Sequence, residues 1–150
     1  MYLIGVIGSQ KATEQSKNIA YEVGKLIALN NFVLVCGGLD GVMEAASKGA
    51  FEHGGLTVGI LPDKDKKNAN PYIKIPIASG MGYARNFCIV QSADCLIAIE
   101  GSYGTLNEIS AALNLQKTVI GIECSWNIEG MKFANSPQEA IELAKKFIFS

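Results

Sequence analysis

This chain has almost no arginine. Of 13 basic residues, Arg85 is the one guanidinium, and the other 12 are lysines. Histidine is nearly absent too: His53 is the single one, and it stands near a helix end, where a surface position suits it better than the role of a catalytic base. No excess of either charge sign exists, the formal net charge being −1 at pH 7. A basic stripe for nucleic acid is therefore missing, and no DNA partner is expected. Four cysteines (Cys36, Cys88, Cys95 and Cys124) lie scattered without CxxC spacing, which predicts reduced thiols in a cytoplasmic protein and no metal set. No apolar run is long enough to span a membrane. The apolar start from Met1 to Gly8 lacks a basic leader and runs straight into Ser9-Gln10-Lys11, so it reads as a first strand and not as a signal peptide.

The common nucleotide fingerprints are also missing. After the first strand stands Gly5-x-x-Gly8-Ser9 in place of GxGxxG, and the second strand ends in Gly37-Gly38 where a ribose-binding acid would be expected. Ordinary NAD binding is thereby disfavoured. With no GxxxxGK[ST] in the chain, P-loop ATP hydrolysis is excluded.

What is present alternates. Apolar runs at Tyr2 to Ile7, Phe32 to Cys36, Leu56 to Leu61, Cys95 to Ile99 and Thr118 to Ile122 read as strands, with a short extended piece at Tyr72 to Ile77. Between them lie helical patterns: Ile19, Ala20, Val23, Leu26 and Ile27 share one face, and Met43, Ala46, Ala50 and Phe51 another, with Asp40 as the expected N-cap. Ser136-Pro137-Gln138-Glu139 is a capping box that opens the last helix. At 150 residues and 49% hydrophobic content, the chain is long enough for one domain, residues 1–150, with one substantial core. Strands alternating with helices predict an α/β, Rossmann-like, doubly wound fold: a mostly parallel sheet with helices on both faces. The expected strand order is 3-2-1-4-5.

In such a fold the helix starts gather along the carboxyl edge of the sheet. Four features should therefore meet there: Gly8-Ser9, Gly37-Gly38 with Asp40, Arg85, and the turn Gly101-Ser102-Tyr103-Gly104-Thr105 leading to Glu108. Unpaired helix-start amides, glycines without a Cβ and a planar guanidinium suit an anion, with hydroxyls from Ser9, Ser102 and Thr105 as further donors. Glu108 has two open roles. It is an acceptor for a sugar hydroxyl or water, or it is the third residue of a capping box begun by Thr105. Gly101 and Gly104 likewise serve either a ligand or a turn that needs φ > 0. Arg85 either faces a ligand or pairs with Glu100 or Glu108. Tyr83 and Trp126 offer flat surfaces for a base, Tyr83 being the better placed. The loop holding lysines 64, 66 and 67 reads as a solvated connection close enough to the crevice to serve as a lid.

These residues carry a resemblance. Gly101-Ser102-Tyr103-Gly104-Thr105-Leu106-Asn107-Glu108 resembles the PGGxGTxxE motif of the "Lonely Guy" (LOG) phosphoribohydrolases, and Tyr83-Ala84-Arg85-Asn86 resembles that family's MHxRK arginine segment. The wording GMGYARN is closer to the molybdenum-cofactor-carrier branch, related to the Rossmann-like domain of DNA-processing protein A. The similarity extends to Gly37-Gly38-x-x-Gly41-Val42-Met43 and so covers most of the chain. Ser102 stands where the motif has a second glycine, and Asn86 where it has lysine; both departures count against hydrolase activity more than against the fold.

The carrier branch implies a protein that binds a phosphorylated nucleotide-like ligand or cofactor. The LOG branch implies, as the alternative, an enzyme that hydrolyses the N-glycosidic bond of a nucleoside 5′-monophosphate, without a cofactor. In that case Glu108 steadies the ribosyl centre and orients water while Arg85 positions the substrate. Both branches imply a homodimer or higher homo-oligomer, built through helices beside the motif.

Overall fold

Alternate residues of each central strand enter opposite cores, which is what an apolar strand covered on both faces requires. The structure, a computed structural model, describes residues Met1–Ser150. Its elements in chain order are β1 (Leu3–Gly8), α1 (Glu14–Leu29), β2 (Val33–Cys36), α2 (Val42–Glu52), β3 (Thr57–Leu61), β4 (Ile75–Ala78), α3 (Arg85–Ser92), β5 (Cys95–Glu100), α4 (Tyr103–Asn114), β6 (Val119–Cys124), β7 (Lys132–Phe133) and α5 (Pro137–Ile148). Short 3-10 turns occur at Lys66–Asn68 and Gly82–Ala84, the second running directly into α3.

All seven strands pair in parallel in the order β4-β3-β2-β1-β5-β6-β7. The five expected strands appear in the expected order at the centre, and the extended piece after β3 proves to be a sixth, edge strand, shifted to Ile75–Ala78. A seventh, of two residues, was not foreseen; Lys132–Phe133 is too short to show a period. On β5, Cys95, Ile97 and Ile99 face the core shared with α1, α2 and α5, while Leu96 and Ala98 face the one shared with α3 and α4. The sheet is thus doubly wound, as the alternation of elements predicts. No helix is long and apolar enough to cross a membrane.

Two helices approach with backbones touching. A Cβ on Gly24 would lie 1.9 Å from the Ala46 carbonyl oxygen, and one on Gly49 would lie 2.0 Å from that of Tyr21, so α1 and α2 cross through a pair of glycines. At the last helix, Ser136 Oγ accepts from the Glu139 N–H and Pro137 opens the first turn, as expected, although the Glu139 carboxylate reaches the Asn135 N–H and not that of Ser136.

Asp40 is not a helix cap. Gly41 occupies that position and the Asp40 side chain is exposed, because the Gly41 backbone must pass close to the Ser9 and Gln10 carbonyls, where a Cβ would lie 2.3 Å away. Val42 N–H donates to the Ser9 carbonyl and ties the start of α2 to the loop after β1.

The order of the sheet places its reversal between β1 and β5, since β2, β3 and β4 extend to one side of β1 and β5, β6 and β7 to the other. In open α/β sheets the carboxyl ends at such a reversal leave a crevice.

Candidate functional site

A cleft of about 1080 Å³ opens at that crevice. Its wall brings together Gly8 and Ser9 after β1, Gly37 after β2, Tyr83 and Arg85 at the start of α3, and Ser102, Tyr103, Gly104, Thr105 and Glu108 at the start of α4. Residues from four separate turns, 100 positions apart at the extremes of Gly8 and Glu108, therefore share one surface.

Two of the expected site residues do not line it. Gly38 turns away: its N–H donates to Cys36 Sγ at 3.3 Å and it packs toward Leu61. Gly101 holds the turn together, with φ at +128° and its N–H donating to Ser9 Oγ at 3.0 Å. Gly104 is the opposite case. It has no positive φ, and a Cβ there would meet nothing within 4 Å, so the fold does not demand glycine at that position. Its missing side chain leaves the floor of the cleft open beside first-turn amides of Tyr103 and Gly104 that have no intrahelical partner.

α4 begins at Tyr103 with Ser102 as N-cap, three residues before the Thr105 cap that the capping box would need. The Thr105 hydroxyl therefore sits at the third helical position and accepts from the Ser102 N–H at 3.3 Å. This corrects the capping box read at Thr105 to Glu108: the glutamate lies one turn further in and takes no part in the cap. The strand runs one residue beyond the apolar run, to Glu100, which adopts φ of +55° beside a register shift against β6.

Glu108 is buried, 8% exposed, and its carboxyl makes no hydrogen bond or ion pair within the protein. Burial pushes its pKa up to about 8, with Arg85 pulling in the other direction. A carboxyl in this state is mostly protonated at neutral pH and so offers a donor as well as an acceptor to the cleft.

Arg85 is 6% exposed and forms no ion pair, which removes the pairing with Glu100 or Glu108 as its purpose. Its guanidinium is held by backbone and amide acceptors. Nε donates to the Ile60 carbonyl at 2.9 Å, Nη1 to Asn86 Oδ1, and Nη2 to the Gly37 carbonyl at a long 3.5 Å. Three of five N–H donors are engaged in this way, which fixes the plane of the group and leaves two. Burial lowers the guanidinium's pKa, opposed chiefly by Glu108 and more weakly by Cys36, Tyr83 and Asp63. Asn86, where the motif of similar proteins has lysine, is itself buried and serves as one of the acceptors that orient Arg85.

The rim is aromatic. Tyr83 and Tyr103 are 83% and 82% exposed, and Phe87 stands beside them. Trp126 does not line the cleft; its Nε1 donates to the Ser102 carbonyl at 3.0 Å and its ring rests against Tyr103. Of the loop after β3, it is Pro62 and Asp63 that reach the cleft, not lysines 64, 66 and 67. The cation the sequence reading missed is Lys11, in the loop following Gly8-Ser9, together with Gln10, Asn86 and Asn107. Position in the first strand-to-helix loop was the signal that could have identified Gln10 and Lys11. His53 caps its own helix end, with Nδ1 2.8 Å from the Gly49 carbonyl, as a surface residue would.

The sequence model of the SLOG cluster4 family matches residues 1–147. A protein of Archaeoglobus fulgidus is 49% identical over 138 residues, 92% of this chain and 91% of that one. The cytokinin riboside 5′-monophosphate phosphoribohydrolase LOG of Oryza sativa subsp. japonica is 29% identical over 133 residues, 82% of this chain but 53% of the enzyme. Among solved structures, the molybdenum cofactor binding protein of the phototrophic bacterium Rippkaea orientalis is similar with a TM-score of 0.93 and 40% identity, over 98% of this chain and 97% of that one. The molybdenum cofactor carrier protein of Chlamydomonas reinhardtii follows at 0.89 and 32%, over 99% of both chains. DNA processing protein A of Streptococcus pneumoniae, at 20% identity and a TM-score of 0.76 over 94% of this chain and 61% of that one, shares the fold.

Proposed function

The chain belongs to the SLOG cluster4 family, and on that premise we propose that it is a carrier-type binding protein whose cargo is a phosphorylated, nucleotide-like molecule of the molybdenum cofactor class. The observation that carries this reading is the pairing, in one cleft, of an oriented guanidinium with two N–H donors to spare and a buried carboxyl that nothing in the protein satisfies. No side-chain oxygen or nitrogen that is cut off from solvent lacks a partner, so the unpaired Glu108 oxygens meet solvent in the cleft, and a ligand there exchanges water for a direct hydrogen bond.

Each part of the cleft suits one part of such a cargo. The phosphate rests against the open first-turn amides of Tyr103 and Gly104, where the helix end favours negative charge, in a cleft that Lys11 also lines. Arg85 and Glu108 fix the polar edge of the molecule, and the exposed rings of Tyr83 and Tyr103 cover its flat part. Solved relatives at 40% and 32% identity described as binding or carrying the molybdenum cofactor support this assignment. The hydrolase alternative is not favoured: its support is a 29% identical enzyme matched over half its length, and the Asn86 and Ser102 departures stand at the motif itself.

Titration of the full chain with AMP, GMP and freshly released molybdenum cofactor, followed by thermal shift and by chromatography for free base, tests the proposal. Saturable binding that inorganic phosphate competes away, without base release, is the expected result. A ligand at a hundredfold its Kd should add about 2.7 kcal/mol of stability. Full affinity in Arg85→Ala would overturn the reading, and base release that disappears in Glu108→Ala would replace it with hydrolysis.

A further inference from the structure

A second cavity of about 420 Å³ lies against the first, in the groove between α1 and α2. Gln10, in the loop that follows β1, lines both. The chemistry changes at that boundary. The smaller cavity sets Lys17 and Lys48 against Asp40 and Glu44, and its charges balance. Lys17 is already engaged at 3.6 Å by Glu14, and Lys48 lies 5.9 Å from the centre of the Tyr72 ring. A second phosphate gains little from such a balanced surface. A neutral, hydroxyl-rich group fits better, because free carboxylates accept from sugar hydroxyls. Asp40 and Glu44 follow β2 and have no partner within the protein. Tyr21 and Tyr72, both partly buried, add aromatic rings to the lining.

We propose that the two cavities form one bipartite site and that the second takes a nucleoside-like unit joined through phosphate to the group held in the main cleft. The ligand class is then dinucleotide-like, its linking phosphates passing over Gln10 and Lys11. This inference rests on the reading of the main cleft as a phosphate-binding site. It adds a role for Asp40, Glu44 and Tyr72, none of which contributes to the main cleft.

Calorimetric titration of the full chain with AMP and GMP, and with the matched pyrophosphate-linked dinucleotides diadenosine and diguanosine 5′,5′-diphosphate, decides the matter. For at least one base the dinucleotide should bind roughly tenfold or more tighter than its mononucleotide, since the second unit binds at high effective concentration. Tyr72→Ala and Glu44→Ala should each reduce that excess while leaving mononucleotide affinity unchanged. Equal affinities for mono- and dinucleotide, or an excess that survives both substitutions, would overturn the bipartite site and leave the carrier reading standing. Absence of any binding by all four probes would overturn both.

Discussion

Gly37 and Arg85 occupy each other's space. The carbonyl of Gly37 accepts from Arg85 Nη2, and a Cβ on Gly37 would lie 2.6 Å from that same nitrogen. The guanidinium can lie flat across the end of β2 only because position 37 has no side chain. Gly37→Ala must therefore displace the ends of two side chains, the Arg85 fork and Met43 Sδ, the latter 2.8 Å from the added carbon. The expected outcome is a loss of ligand affinity of about tenfold or more, together with a destabilisation of about 1–3 kcal/mol, read by titration and by denaturant melts. Unchanged affinity would show that the orientation of Arg85 is irrelevant to binding.

Glu108 should give the protein a distinctive pH dependence. Its pKa rises from 4.5 to about 8 on burial, so between those values the unfolded chain has released a proton that the folded chain retains. Stability therefore falls as pH rises through that interval and levels off above about 8. Denaturant melts at steps from pH 5 to pH 8 should show this decline, and Glu108→Gln should flatten it. The thiols raised by burial, Cys36, Cys95 and Cys124, begin from a higher value and act above this interval. A wild-type slope identical to that of Glu108→Gln would refute the buried, protonated carboxyl.

The same proton bears on binding. When Glu108 ionises, a negative charge appears in the cleft beside the position assigned to an anionic ligand. Affinity for AMP or GMP should then drop across pH 8 in the wild type and stay level in Glu108→Gln.

The crossing of α1 and α2 admits no methyl group. Gly24→Ala would thrust a carbon to within 1.9 Å of the Ala46 carbonyl oxygen, a contact that only separation of the two backbones can relieve. Such overpacking costs about 1–3 kcal/mol, enough to lower Tm by several degrees. Ala20→Gly, in the same helix and buried at 0% exposure, serves as the comparison; it should cost about 1 kcal/mol from helix propensity alone, with a further loss from the methyl it removes.

Ser9 links the two strands that border the cleft. Its hydroxyl, buried at 6% exposure, accepts from the Gly101 N–H, so Ser9→Ala leaves that donor unpaired at the tightest point of the turn. A loss of about 1–3 kcal/mol is expected, and faster amide exchange at Gly101 and Ser102 would locate it.

Periodicity and turn chemistry are local properties, and they determined much of this protein. The alternation of apolar runs with helical patterns gave five parallel strands, the family resemblance supported their order, and Ser136 with Pro137 gave the start of α5. The scarcity of arginine singled out Arg85 before any geometry was known, because a planar, always-charged group used once implies a specific acceptor. Tertiary structure alone decided what those acceptors are. Beside the neighbouring Asn86 Oδ1 they are the carbonyls of Ile60 and Gly37, residues 25 and 48 positions away, and no pattern within a window of sequence encodes a contact between a side chain and the backbone of such distant strands. It also decided that Glu108 stands free and not in a helix cap, since α4 opens with Ser102 as its N-cap and Thr105 at the third helical position. Composition can propose which side chains carry chemistry; the packing of turns against one another determines which of their hydrogen-bonding groups remain unspent.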